Sequence, residues 1–311
     1  MRSSILIFEL GDIEKAVERF EKALKRAPDN KELVLILGAL YRQFKKTTKK
    51  SSRQKSKLAA LKYLKQATDL DAKNPEAQIE MAEMQQAAGT DQHYRTALKH
   101  YRKGEREMTK SGDAIPLQIH NNQGVLHFQL GAPQRSMEAY TRAFAEIANS
   151  NLNSSSSSTS SSTSTSLTTS SSSSSSTPSS LRAVTEKYSN IMYNSENITL
   201  TYNFARLCES STEIQLAKEI YIELSTKYPM YVESILRLAQ IASNNNEIDQ
   251  ALSHVYDALC IHPANKDALS MQGNMYLQQG DVRMAQGKYI KSERAAREWS
   301  TVVIVEWKHC S

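Results

Sequence analysis

The chain has 311 residues, 39 of them Lys or Arg against 33 Asp or Glu, for a formal charge of +6. Ten Gly and seven Pro are few for this length, and three widely spaced cysteines (Cys208, Cys260, Cys310) make neither a disulfide framework nor a zinc pattern, which points to a reducing compartment. The apolar run Ile5–Phe8 meets Glu9 too early for a signal peptide, and no window reaches the roughly 20 apolar residues of a membrane span.

A period of 34 residues organises the sequence, clearest in the blocks Ile198–Tyr231, Val232–Asn265 and Lys266–Trp299. Small residues recur at position 8 (Ala205, Ala239, Gly273) and at position 20 (Ala217, Ala251, Ala285). Larger side chains recur at position 24 (Tyr221, Val255, Tyr289), and proline stands at position 32 of the first two blocks (Pro229, Pro263). Two antiparallel helices approach closely only where one sets Gly or Ala against the other, and proline ends the second helix. The period and the pattern are those of tetratricopeptide (TPR) repeats, each a helix–turn–helix. The expected fold is therefore all-α, a right-handed TPR solenoid interrupted by a disordered Ser/Thr tract.

In chain order, the first repeat is cut. Gly11, Ala16, Phe20, Ala23 and Pro28 match positions 15, 20, 24, 27 and 32, so the chain starts inside a first helix, as a fragment would. The second repeat opens with Leu37, Gly38 and Tyr41 and resumes with Ala60, Leu64 and Ala67. Between them lies a basic insert, Lys45–Lys57, with seven positive residues (Lys45, Lys46, Lys49, Lys50, Arg53, Lys55, Lys57) and no acid, so the rest of the chain is near neutral. Such a run reads as a solvated loop, or as an electrostatic contact with nucleic acid or an acidic partner, or as a nuclear-import signal. It lacks interleaved aromatics, so base stacking is not implied.

The third repeat carries Met81, Ala82 and Gly89, then Ala97, Tyr101 and Gly104. The fourth carries Gln123, Gly124, His127 and Gly131, then Ser136, Tyr140 and Ala143. From Ser154 to Ser180 every residue is Ser or Thr except Leu167 and Pro178. Such a tract has nothing to bury and is expected to be disordered. The expected organisation is an N-terminal arm at 1–149, a linker at 150–181, a C-terminal arm at 182–299 re-entered through a short helix (Leu181–Tyr193), and an atypical tail at 300–311. In that tail Val302–Val305 suggests a strand or a frayed end. Asn153 and Asn197 begin glycosylation sequons, read as chance without a secretory signal.

Catalytic chemistry finds no constellation to rest on. Gly280–Lys288 misses a phosphate loop, because six residues separate Gly280 from Gly287 and Tyr289 stands where Ser or Thr must hold magnesium. The pairs His93/His100 and His120/His127 have too few neighbours for a metal site, so they read as structural histidines, and Cys208 as a small buried hydrophobe. No cofactor, small-molecule substrate or membrane is implied.

TPR arrays bind extended peptides in the groove lined by positions 2, 5, 6 and 9 of first helices. Those positions supply Asn121, Asn122, Asn203, Arg206, Arg237 and Asn274, where Asn suits a peptide backbone and Arg an acidic side chain. Arg206 and Arg237 are expected to need an acid between them, which Glu233 supplies only in part and a partner's carboxylate would complete. The carboxylate clamp of co-chaperones needs Lys and Asn, then Asn, then Lys and Arg on successive helices. The chain offers Asn121 and Val125, then Asn203, then Glu233 and Arg237, which demotes that alternative reading as a peptide-binding co-chaperone adaptor.

The run Ile119–Gly131 resembles a stretch of the Ctr-nine family, the TPR scaffold subunit of the RNA polymerase II-associated factor (Paf) complex. Tyr202–Leu207, Tyr228–Val232 with Leu236–Leu238, and Gly273–Asn274 with Gln286–Tyr289 carry the resemblance further in the same order. It covers roughly 11–292, and the family's further repeats and charged C-terminal region have no counterpart here. The resemblance implies a non-enzymatic nuclear scaffold, with other Paf-complex subunits and RNA polymerase II as partners, acting in transcription elongation and linked histone modification.

Overall fold

The computed structural model describes residues 13–47, 50–156 and 180–305. Among them are fourteen α-helices and one short 3-10 turn, with no strand. The chain divides into two compact units between Ala143 and Phe144. The first holds α1 (Ile13–Arg26), α2 (Lys31–Thr47), α3 (Lys50–Leu70), α4 (Pro75–Gln86), α5 (Asp91–Ser111), α6 (Leu117–Gln129) and the start of α7 (Pro133–Ser156). The second holds the rest of α7, then α8 (Leu181–Met192), α9 (Ile198–Ser210), α10 (Ile214–Lys227), α11 (Val232–Asn244), α12 (Ile248–Ile261), α13 (Lys266–Gln278) and α14 (Val282–Val305).

The register predicts these boundaries closely. First helices start at position 1 (Ile198, Val232, Lys266) and second helices at position 17 (Ile214, Ile248, Val282). Ala205, Ala217, Ala239, Ala251 and Ala285 are all fully buried, as are Tyr221 and Val255 at position 24. Each helix pair thus closes over small residues, and each second helix then shares its core with the next first helix, as Val255 and Ala258 do with Ala268 and Met275.

The turn inside each repeat makes a demand that composition alone hides. Position 15 has positive φ in five repeats, at Gly89 (78°), Gly131 (67°), Thr212 (66°), Asn246 (61°) and Gly280 (82°), whereas Lys45, at position 15 of the second repeat, stays inside α2. Glycine and asparagine tolerate this region, but a β-branched threonine does not. Thr212→Gly should therefore raise the unfolding free energy by about 1 kcal/mol, the left-handed strain relieved less the entropy of the new glycine. Urea denaturation checks it, and an unchanged or lower midpoint would refute the strain.

Three expectations need correction. Lys45 and Lys46 lie in the last turns of α2, and Lys50, Arg53, Lys55 and Lys57 in the first turns of α3, so the basic insert prolongs both helices instead of looping out. It contains neither Gly nor Pro, and lysine propagates a helix well. The backbone at 301–305 is helical and continues α14, since β-branched residues cost little once a helix is under way. The helix α7 runs on through Ser154–Ser156. Lys49, 157–179 and 306–311 fall outside the described residues, so most of the Ser/Thr tract and the end of the tail do as well.

The unit boundary falls within α7, before the Ser/Thr tract. Phe144 belongs to the second unit because its ring stacks on Tyr188 at 5.9 Å and meets Phe204 edge-on at 5.8 Å. The predicted short helix is present as α8, capped by Ser180, whose hydroxyl accepts from the Ala183 amide at 3.2 Å. Asn197 is buried and donates to the Ile191 carbonyl at 2.8 Å, which leaves its amide no room for a glycan.

Candidate interaction groove

In the second unit the first helices α9, α11 and α13 follow one another at the 34-residue interval, carrying Asn203 and Arg237 at position 6 and Arg206 and Asn274 at position 9. Their surroundings differ. Arg237 Nε donates to Glu209 Oε2 at 3.0 Å and its terminal nitrogen to Glu209 Oε1, a two-pronged pair from α11 to α9. The Tyr221 hydroxyl donates to the same carboxylate at 3.1 Å. The Glu209 side chain is 14% exposed and that of Arg237 27%, so the pair is largely removed from water. Tyr202 packs beside it, 5.8 Å from the Tyr221 ring and 5.5 Å, edge-on, from the Tyr231 ring.

Arg237 thus finds its acid within the chain, in Glu209, while Glu233 is exposed. Arg206 is half-buried and makes no ion pair among the described residues. Asn203 is half-buried. Asn274 is exposed and accepts from the Tyr289 hydroxyl at 2.5 Å.

In the first unit Asn122, at position 6, donates to the Tyr101 hydroxyl at 2.9 Å, and that hydroxyl donates to Gln86 Oε1 at 3.0 Å. Gln86 is at position 12 of its repeat and Tyr101 at position 24. The same three positions are linked in Glu209, Tyr221 and Arg237, but there positions 12 and 6 pair directly, whereas here the Tyr101 hydroxyl bridges them. One junction earlier Arg42, at position 12, lies 2.7 Å from Glu80 at position 6 and also pairs with Glu83. Burial pushes the Glu80 carboxyl up against the pull of Arg42. A polar link from position 12 of one repeat to position 6 of the next thus recurs at three junctions. Two of the predicted groove residues, Asn122 and Arg237, are parts of that link. Glu209 was missed because the link joins residues of changing type.

The remaining predicted residues are not gathered into a site. Lys55 is exposed and Lys57 half-buried on α3; the side chains of Lys45, Lys46, Lys50 and Arg53 lie outside the described set, as does Lys49 altogether. His93 Nδ1 is 2.6 Å from the Thr90 hydroxyl and His100 Nδ1 is 2.8 Å from Gln78 Oε1, both local partnerships. The Cys208 thiol is fully buried and pushed up to about 12, first by burial, then by Glu213, so it is a poor nucleophile. Among the described residues no cluster of metal-ligating side chains occurs, and no helix is long and apolar enough to cross a membrane.

The tetratricopeptide repeat family profile matches residues 8–49. The chain is similar to the Protein CTR9 homolog of Arabidopsis thaliana, 28% identical over 273 residues, which is 88% of this chain and 23% of that protein. Among solved structures, a tetratricopeptide repeat protein from Parabacteroides merdae superposes with a TM-score of 0.63 at 14% identity, over 99% of this chain and 96% of the other. The APC/C hetero-tetramer Cut9-Hcn1 gives 0.56 at 12% identity, over 96% of this chain and 46% of that one. The fold is a TPR array, and the resemblance to Ctr-nine holds across nearly the whole chain, which spans 23% of the relative's length. Arrays of this kind are protein-interaction scaffolds.

Proposed function

We propose that the chain is a non-enzymatic scaffold segment of the Ctr-nine type, holding subunits of the Paf complex together in the nucleus during RNA polymerase II elongation and the histone modification linked to it. Similarity to the CTR9 homolog over 88% of the chain supports the assignment. The observation that carries a binding role is Arg206, a half-buried guanidinium on α9 without an ion partner among the described residues, beside a strut that has already consumed Arg237. Under this reading the groove of α9, α11 and α13 takes an extended partner segment, with an acidic side chain on Arg206 and Asn203 and Asn274 beside its backbone. The basic run Lys45–Lys57 serves nuclear import or a weak nucleic-acid contact.

Arg206→Glu should release one Paf-complex subunit while the melting temperature stays within a degree or two, since no internal pair is lost. A charge-assisted hydrogen bond is worth about 1.5–3 kcal/mol, so the partner's affinity should fall at least tenfold. Affinity purification of the tagged full chain, wild type and variant, reads both. Retention of every partner by the folded variant would place binding outside this groove. Capture of chaperones in place of Paf subunits would favour the co-chaperone reading, which the capture of Arg237 by Glu209 argues against.

A further inference from the structure

The filled junctions between repeats define what covers a second helix. Short turns make each second helix antiparallel to the first helix that follows it. At three junctions that first helix brings an apolar pair seven residues apart, at positions 3 and 10: Ala77 and Met84 on α4, Ile119 and Leu126 on α6, Ala268 and Met275 on α13. All are buried, and each pair shares a core cluster with the second helix before it, as Ala268 and Met275 do with Ala251, Val255 and Ala258 of α12.

On α14 that face is uncovered among the described residues. Tyr221 and Val255 are fully buried at position 24, whereas Tyr289 is half-buried there. Beside it lies a hollow of about 450 Å³, lined by Leu277 of α13 and by Val282, Gln286, Tyr289, Ile290 and Glu293 of α14. Leu277 is 46% exposed, Val282 65% and Ile290 46%, a contiguous apolar patch of the kind that marks an interaction site. Pro229 and Pro263 follow α10 and α12, but position 32 of the last repeat is Arg297, and α14 stays helical to Val305. Among the described residues, then, no first helix turns back over the hollow.

Gly287 adds an independent sign. It stands in the interior of α14, where glycine weakens a helix, and a Cβ built there would meet nothing within 4 Å. Gly124 and Gly273 make room for Tyr140 and Tyr289, but Gly287 makes room for no described residue of its own chain.

We propose that the hollow is a self-association surface, filled by α14 of a second copy of this chain running antiparallel across it. α14 itself meets the requirement seen at the filled junctions, since Val282 and Tyr289 are an apolar pair seven residues apart. A two-fold axis at the level of Lys288 makes the pairing self-complementary. Gln286 then opposes Ile290 of the second copy, and Gly287 opposes its Tyr289, the small-to-aromatic contact that also closes Gly124 on Tyr140. At the rim Arg283 of each copy meets Glu293 of the other, whereas a parallel pair would set like charges together. A single helix pair is smaller than a standard interface, so the dimer should dissociate on dilution.

Sedimentation equilibrium of the full chain should show a reversible monomer–dimer equilibrium. Ile290→Arg should weaken the dimer about tenfold or more, because it sets a charge in the centre of the contact. Gly287→Leu separates association from folding. It should raise the melting temperature of the dilute monomer, where leucine favours the helix and meets nothing, and yet weaken the dimer to a similar degree. Arg283→Glu should also weaken the dimer, and Glu293→Arg in the same chain should restore it. A chain that stays monomeric at every concentration would overturn the proposal, as would a dimer untouched by Ile290→Arg and Gly287→Leu. Assemblies larger than a dimer would replace the two-fold pairing by a head-to-tail one and overturn it as well. So would a monomer that takes up a synthetic Lys266–Gln278 peptide, which would assign the hollow to a helix of another protein.

Discussion

Arg237→Glu should lower the unfolding free energy of the second unit by about 3 kcal/mol. Removing one member of a largely buried pair strands the other charge, and here the new glutamate would also face Glu209, whose side chain is only 14% exposed. The loss should appear as a lower denaturation midpoint with the slope unchanged. The decisive variant is the exchange, Glu209→Arg with Arg237→Glu. It recreates in the second unit the polarity already present in the first, where position 12 is Arg42 and position 6 is Glu80. The exchanged protein should regain more than half of the lost stability. A double variant no more stable than Arg237→Glu alone would show that the arginine acts by packing on its aromatic neighbours and not by pairing.

Gly124→Ala should destabilise the first unit by about 1–3 kcal/mol, against the usual rule. In an ordinary helix interior the change stabilises by about 1 kcal/mol. Here a Cβ on Gly124 would lie 2.5 Å from Tyr140 Cε1 and 2.6 Å from Cζ, and Tyr140 is 1% exposed. The ring has nowhere to retreat, so the helices must part. Ala82, which shares a buried cluster with Tyr101, shows that alanine and tyrosine coexist where a helix pair is built around the methyl from the outset. Thermal melting gives the sign, and a rise in melting temperature would show that Tyr140 swings aside at little cost.

Most of the fold was legible in the sequence because close helix packing leaves few options at positions 8, 20 and 24, and those positions recur. Ile198, Val232 and Lys266 could be placed at helix starts from period alone. The conformation of Lys45–Lys57 was not legible in that way: charge says that a segment is solvated, not whether its backbone is helical or extended. Nor was the tail, where Val302–Val305 has strand propensity but inherits a helix already formed at Val282. The proposed groove was legible only as a set of positions. Arg237 could be given a position in the register, but its partner Glu209 is 28 residues away, and the corresponding link is Arg with Glu at one junction and Gln86 and Asn122 bridged by Tyr101 at another. A search for recurring residue types passes over a link whose positions in the repeat are constant and whose chemistry is not. Thr212 hid in the same manner, standing where Gly89, Gly131 and Gly280 make the turn plain.

The polarity of the struts bears on how such an array can be rearranged. Arg42 donates forward to the next repeat, whereas Glu209 accepts from it, and Gln86 with Asn122 is neutral. If repeats were shuffled so that the repeat of Glu209 preceded the repeat of Glu80, two carboxylates would meet at a half-buried junction. Setting Arg42 ahead of Arg237 would oppose two guanidinium groups in the same manner. A single repeat is therefore not an interchangeable brick. The smallest unit that could be duplicated, grafted or exchanged between chains without such a clash is a junction, the back half of one repeat together with the front half of the next.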